Sequence, residues 1–209
     1  MAGIHVFLLG APRIERDGAP LKLDRQKAVA LLAYLALSGQ PHQRETLAAL
    51  LWPENPAPDA YAYLRRALWA LNNALGPHIL EASRNTIGIA PTSNLWVDAL
   101  EFRALLAACR AHAHASFDRC PECRARLHEA ATLYRGDLLA GFSVRGSAEF
   151  DEWQIAQAET LRQEAAAVFE QLARCENAQG APDSAIAAAR RWVALDPLHE
   201  PAQRLLMEF

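Results

Sequence analysis

The sequence predicts a mainly α-helical protein with small antiparallel β elements, arranged as two domains. Apolar residues recur at helical spacing through most of the chain, the stretch up to Leu23 alternates as short strands instead, and a polar link at Pro91-Thr92-Ser93-Asn94 separates two runs of helices. With 209 residues, 52% of them hydrophobic and 22% charged, the chain can bury one large core or two smaller ones. Extensive disorder is excluded by the same balance.

The opening reads as three strands, Ile4 to Leu9, Arg13 to Arg16 and Leu21 to Leu23. Asp17-Gly18 is a hairpin signal between the last two, because glycine accepts a positive φ without steric cost. From Asp24 the period turns helical, with Ala28, Leu31, Leu32 and Leu35 on one face and Ser38-Gly39 as the stop. A second helix runs from about Gln43 to Leu51. Three prolines between Trp52 and Pro58 then interrupt helical structure.

The segment Asp59 to Leu75 organises the rest. Leu64, Leu68, Leu71 and Leu75 form a narrow apolar stripe, with Asp59 and Gly76 supplying cap chemistry. At 100° per residue, Ala62, Arg66, Trp69 and Asn73 fall on the opposite face, with Tyr63 and Arg65 on the flanks. After Asp59 this helix has no acid. Guanidinium, indole and carboxamide groups suit a groove of phosphates and base edges, whereas a buried helix would pack Trp69 on a neighbour. Ile79 to Ala82 and Thr86 to Ile89 then read as a hairpin tipped by Ser83-Arg84-Asn85.

Sheet, three helices and a hairpin is the order of a winged helix-turn-helix, whose third helix lies in the major groove while the hairpin reaches the backbone. The residues that fill that order are Leu8 with Gly10, Asp17-Gly18, Arg25-Gln26-Lys27, Arg44-Glu45 with Leu47 and Leu51-Trp52, and Leu64 to Leu68 with Ala74-Leu75-Gly76. In that spacing residues 4–92 resemble the DNA-binding domain of the SARP-type (antibiotic-regulatory) bacterial transcriptional activators, which is of the OmpR/PhoB type. Trp96-Val97-Asp98, the string Leu133 to Phe142 and Phe150 to Trp153 resemble the bacterial transcriptional activation domain that follows it in the same family.

Within that second part, Asp98 and Glu101 make a capping-box-like start to a helix through Phe102, Leu105, Leu106 and Cys109. Helices follow at Arg124 to Tyr134, Ser147 to Ala178, Pro182 to Leu195 and Glu200 to Phe209. Leu172, Gly180, Ala185 and Pro197 fall where a tetratricopeptide unit places its packing leucine, turn glycine, small contact residue and terminating proline. The domains expected are therefore 1–92, winged helix, and 96–209, helical. A last helix with Leu205, Leu206 and Phe209 uncovered is expected to continue into a longer chain, and the resemblance implies further helical repeats, often with a nucleotide-binding domain.

Charge and motifs narrow the chemistry. The net charge is −3, with nine Lys/Arg against eight Asp/Glu in residues 1–98 and twelve against sixteen in 99–209. DNA affinity must therefore come from local placement, helped by dimerisation. No phosphate-cradling loop, nucleophile elbow or HExxH occurs, so an enzyme is not expected. Nor is a membrane partner: the one N-terminal apolar run is too short for a signal or span, and the expected location is cytoplasmic.

His112 and His114 with Cys120-Pro-Glu-Cys123 place two imidazoles and two thiols close in sequence, the donor set of a structural zinc ion. On a continuing helix the two histidines would lie about 200° apart, so only a frayed end could converge them. A reduced CxxC that caps the next helix and a redox switch remain the alternatives. Cys109 and Cys175 read as core residues.

The expected partners are double-stranded DNA, a second copy of the chain and, by resemblance, RNA polymerase at the loop Pro53 to Pro58. Arg66, Trp69 and Asn73 are expected at base edges, Arg65 and Tyr63 at phosphates or edges, and Arg84 with Asn85 at the wing. The family often carries basic residues where Asn72 and Asn73 stand, which weakens phosphate anchoring here. A winged helix that serves only as a protein-docking scaffold is the rival reading.

Overall fold

The computed structural model describes residues 3–114 and 116–209, which divide into two compact units: residues up to 98 together with 138–157, and residues 99–137 together with 158–209. The first unit opens with a meander of β1 (Ile4–Phe7), β2 (Arg13–Arg16) and β3 (Ala19–Leu21), in which Ile14 stands opposite both Val6 and Leu21. The third strand starts two residues earlier than the sequence suggests. Asp17 and Gly18 both take left-handed φ, 53° and 79°, so the turn closes in two residues and Arg16 pairs at once with Ala19.

A fourth strand that the sequence reading left unassigned, β7 (Leu95–Val97), pairs parallel with β1 and completes the order β3-β2-β1-β7. It delivers Asp98 to a fully buried position, where one carboxylate oxygen accepts from the Leu8 amide at 2.7 Å and the other from Leu9 at 3.1 Å. Expected as a helix cap, Asp98 thus also fastens the end of β1. Two amide donors offset much of the cost of burying its charge.

Between these strands lie α1 (Gln26–Ser38), β4 (His42–Gln43), α2 (Arg44–Leu51), α3 (Ala57–Leu75), β5 (Leu80–Ala82) and β6 (Thr86–Ile89), with a second sheet in the order β4-β6-β5. Leu31, Leu35, Leu47, Leu51, Leu64 and Leu71 are fully buried and form the three-helix core. Glycine fits closely in β6: a Cβ on Gly88 would sit 3.2 Å from the Pro41 Cα, so any larger residue needs Pro41 to give way. Residues 138–157 pack with this unit. Leu139 and Ala140 donate to the carbonyls of Leu8 and Gly10, the Ser147 hydroxyl donates to the Leu51 carbonyl at 2.8 Å, and Trp153 lies 5.0 Å from Tyr34.

The second unit is built from α4 (Asp98–Ala111), α5 (Pro121–Leu133), α6 (Ala148–Ala178), whose first turns belong to the first unit, α7 (Pro182–Leu195) and α8 (Glu200–Glu208). Helix α5 begins three residues before the expected Arg124, because Pro121 is preorganised for a first helical turn that needs no amide donor. Tyr134 is sandwiched between Phe102 and Phe169, at 6.0 and 6.2 Å. Glu176, 1% exposed, is held by Arg124 through two bonds of 2.6 and 2.9 Å and by His128 at 2.7 Å. Among the described residues no helix is long and apolar enough to cross a membrane.

Candidate nucleic-acid interface

Helix α3 starts on Pro56, whose extended backbone leads into Ala57, with Pro58 in the first turn; no side chain caps it, and Asp59 instead sits inside the first turn, where its charge favours the positive end of the helix. Its far end is closed twice. The Gly76 amide donates to the Asn72 carbonyl at 2.9 Å, and the Arg16 guanidinium donates to the Ala74 carbonyl.

The buried stripe is Ala60, Leu64, Ala67, Leu68, Leu71 and Leu75, the period the sequence implies. Opposite it, Arg65, Arg66, Asn72 and Asn73 are exposed, Ala62 is half-buried, and Trp69 leaves 65% of its surface in water. The packed-indole alternative is thereby removed. Leaving that much of a large aromatic surface wet forgoes on the order of 3 kcal/mol of apolar burial, a cost an ordinary surface position does not carry.

Tyr63 has a more specific place than its flank position suggested. Its ring stacks on Trp52, 6.2 Å away and tilted by 25°, while the Arg66 guanidinium lies over the Tyr63 ring at 5.7 Å. On the other side Lys27 lies 5.3 Å from the Trp52 ring and donates to the Leu51 carbonyl; burial lowers its pKa, against the pull of Glu54. A ladder of cation, indole, phenol and cation therefore runs from α1 to α3 and orients Arg66.

At the wing, Arg84 and Asn85 are exposed at the tip. Ser83 ties the turn together, its hydroxyl 2.8 Å from the Thr86 hydroxyl and accepting from the Asn85 and Thr86 amides. Arg44 pins the tip to the start of α2: its guanidinium donates twice to the Ser83 carbonyl, at 3.1 and 3.0 Å, and its amide donates to the Asn85 carbonyl at 2.8 Å. Arg44 as a wing anchor was invisible as a site residue in the sequence.

So were Lys22 and Arg25, which with Asp24 line one side of an open groove whose other side is Trp69 and Asn73. Both cations are exposed, and they add positive charge beside an α3 face that has only asparagines at 72 and 73. Only Arg25, in the string Arg25-Gln26-Lys27 at the first helix, was hinted at by the spaced pattern.

The thiol and imidazole cluster lies in the second unit. Helix α4 ends at Ala111, so His112 and His114 both fall in the following loop, and the helical separation that would keep them apart does not apply. Their rings stack at 5.7 Å; His112 Nε2 lies 3.7 Å from Cys120 Sγ, and His114 Nδ1 lies 3.9 Å from Cys123 Sγ. All four cysteines are free and buried, and burial pushes the Cys123 thiol up to about 12 and Cys175 up to about 11.

Residues 97–208 match the family model of the bacterial transcriptional activator domain, more than half of the chain. No curated protein matches. Among solved structures, Mycobacterium tuberculosis EmbR in complex with a low affinity phosphopeptide is similar with a TM-score of 0.76 and 24% identity; the match covers 100% of this chain and 54% of that one. The present chain thus spans about half the length of that solved relative, and at this identity the likeness shows a common fold. The match over residues 97–208, more than half of the chain, places it in the bacterial transcriptional activator domain family.

Proposed function

We propose that this activator binds double-stranded DNA through residues 1–92 and transmits the activating signal through residues 96–209. Helix α3 enters the major groove, with Arg66, Trp69 and Asn73 at base edges and Arg65 and Tyr63 beside them. Lys22 and Arg25 approach one flanking phosphate run, and Arg84 with Asn85 approach the other from the wing. The helical half mediates dimerisation, and the segment Pro53 to Pro58, exposed throughout and running from the loop into the first residues of α3, is the contact for RNA polymerase. The observation that carries this reading is the exposed indole of Trp69, set among exposed arginines on a helix whose other face is fully packed.

The balance of nine basic against eight acidic residues in 1–98 favours the rival, a winged helix that docks proteins only. Salt separates the two. On DNA selected from a random pool, four to six phosphate contacts per protomer give a log–log salt slope of roughly −4 to −5, and Arg66→Ala costs about 1–3 kcal/mol in discrimination at the base it reads. Selection that enriches no sequence, together with binding indifferent to salt, establishes the scaffold instead.

A further inference from the structure

We propose that the connection between α4 and α5 is a structural zinc site, with His112, His114, Cys120 and Cys123 as its four ligands. In a tetrahedral shell with bonds of about 2.3 Å to sulfur and 2.0–2.1 Å to nitrogen, a sulfur and a nitrogen ligand stand about 3.6 Å apart. The two sulfur–nitrogen pairs stand at 3.7 Å (Cys120 with His112) and 3.9 Å (Cys123 with His114), and the ligand atoms of His112, His114 and Cys120 all lie within 4.8 Å of one another. Three of the four ligand atoms thus converge already, and the fourth, Cys123 Sγ, is tied to them through His114, so that closing on one ion requires Cys123 to move in toward the other three.

The chemistry of the donors selects the metal. Two sulfurs and two imidazoles exclude calcium and magnesium, which take oxygen ligands, and four protein ligands leave no open position for catalysis. On binding, each thiol releases its proton to solvent, so the dication and two thiolates form a centre of zero net charge. That suits the place, for Cys123 is fully buried and Cys120 nearly so.

The other two cysteines are satisfied by backbone carbonyls. The Cys109 sulfur faces the Cys123 carbonyl at 3.7 Å, and the Cys175 sulfur faces the Phe117 carbonyl at 3.8 Å. Three present contacts have to yield: the Cys120 thiol gives up its bond to Glu122 at 3.3 Å, the Cys123 thiol gives up its bond to the Cys109 carbonyl at 4.0 Å, and Arg126 leaves His112 Nδ1, which carries a proton once Nε2 binds metal. The metal would fasten the end of α4 to the start of α5, where no side chain caps the helix.

Cobalt(II) titration of the full chain tests this. The expected result is one ion per chain, with the intense visible bands of tetrahedral cobalt and thiolate-to-metal charge transfer, both bleached by equimolar zinc. The double variants Cys120→Ser/Cys123→Ser and His112→Ala/His114→Ala lose the bands, whereas Cys175→Ser and His78→Ala keep them. Because a ligand variant can fail to fold, alkylation of the native chain is read by mass spectrometry in parallel: zinc protects Cys120 and Cys123. Weak octahedral bands, absence of charge transfer, bands retained in the double variants, or equal alkylation with and without zinc overturns the proposal.

Discussion

The Arg124–Glu176 pair yields a prediction whose sign depends on which partner is removed. Glu176 is 1% exposed and its carboxylate is held, among the described residues, by Arg124 and His128, which are themselves 37% and 51% exposed. Arg124→Ala strands a buried carboxylate with one histidine, and breaking such a pair costs about 3–5 kcal/mol. Glu176→Ala lets the Arg124 guanidinium and the His128 imidazole return to water and loses their bonds to the carboxylate plus a small volume, about 1–2 kcal/mol. The cation at the surface therefore matters more to stability than the acid in the core.

The pair also sets an acid limit. Hydrogen bonds from Arg124, then from His128, hold the Glu176 carboxyl below its usual value against the opposing effect of burial. A depressed folded-state value means that this stabilisation is complete above the unfolded value near 4.3 and is lost as pH falls through the folded one. Without Arg124 the folded value rises, so acid loss starts at higher pH. Hydrogen exchange of α5 and α6 peptides across a urea series, repeated between neutral and acid pH, measures both effects. If Arg124→Ala is no more destabilising than Glu176→Ala, the assignment of a buried, compensated carboxylate is refuted.

Three further outcomes are expected. Trp69→Ala leaves the thermal midpoint unchanged or slightly raised, because its side chain is mostly in water, and it abolishes DNA-induced quenching of tryptophan fluorescence; a large drop in midpoint would show that the indole is a packing element. Arg44→Ala frees the wing tip, speeds hydrogen exchange at Asn85 and Thr86 and weakens binding uniformly across DNA sequences without altering base preference, as titration against a sequence panel would reveal. Gly88→Val drives a side chain into Pro41 and costs about 1–3 kcal/mol, measurable as a fall in the urea midpoint.

Much of this architecture was readable because its signals are local. The stripe Leu64, Leu68, Leu71, Leu75 repeats at a helical period, so α3 and its outward face follow from spacing alone. The wing was readable for the same reason, from Thr86, Ile87 and Ile89 beyond a polar tip. Lys22, Arg25 and Arg44 were not readable as site residues, since each gains its role from a partner far along the chain or on another element: Trp69 and Asn73 for the first two, the Ser83 carbonyl for the third. Trp52 under Tyr63, too, is a partnership made across a proline-rich loop.

The sequence by itself determined the helices, the hairpins and the apolar faces, because hydrophobic period and turn chemistry are properties of neighbouring residues. Only the tertiary structure decided that Leu95 to Val97 is a strand beside β1, that Asp98 closes that strand from within the core, that residues 138–157 return to the first unit, and that His112 approaches Cys120 while His114 approaches Cys123. Each of these depends on which surfaces remain to be covered, or which buried charges remain to be paired, once the local elements exist, and that is a condition on the assembled chain rather than on any stretch of it.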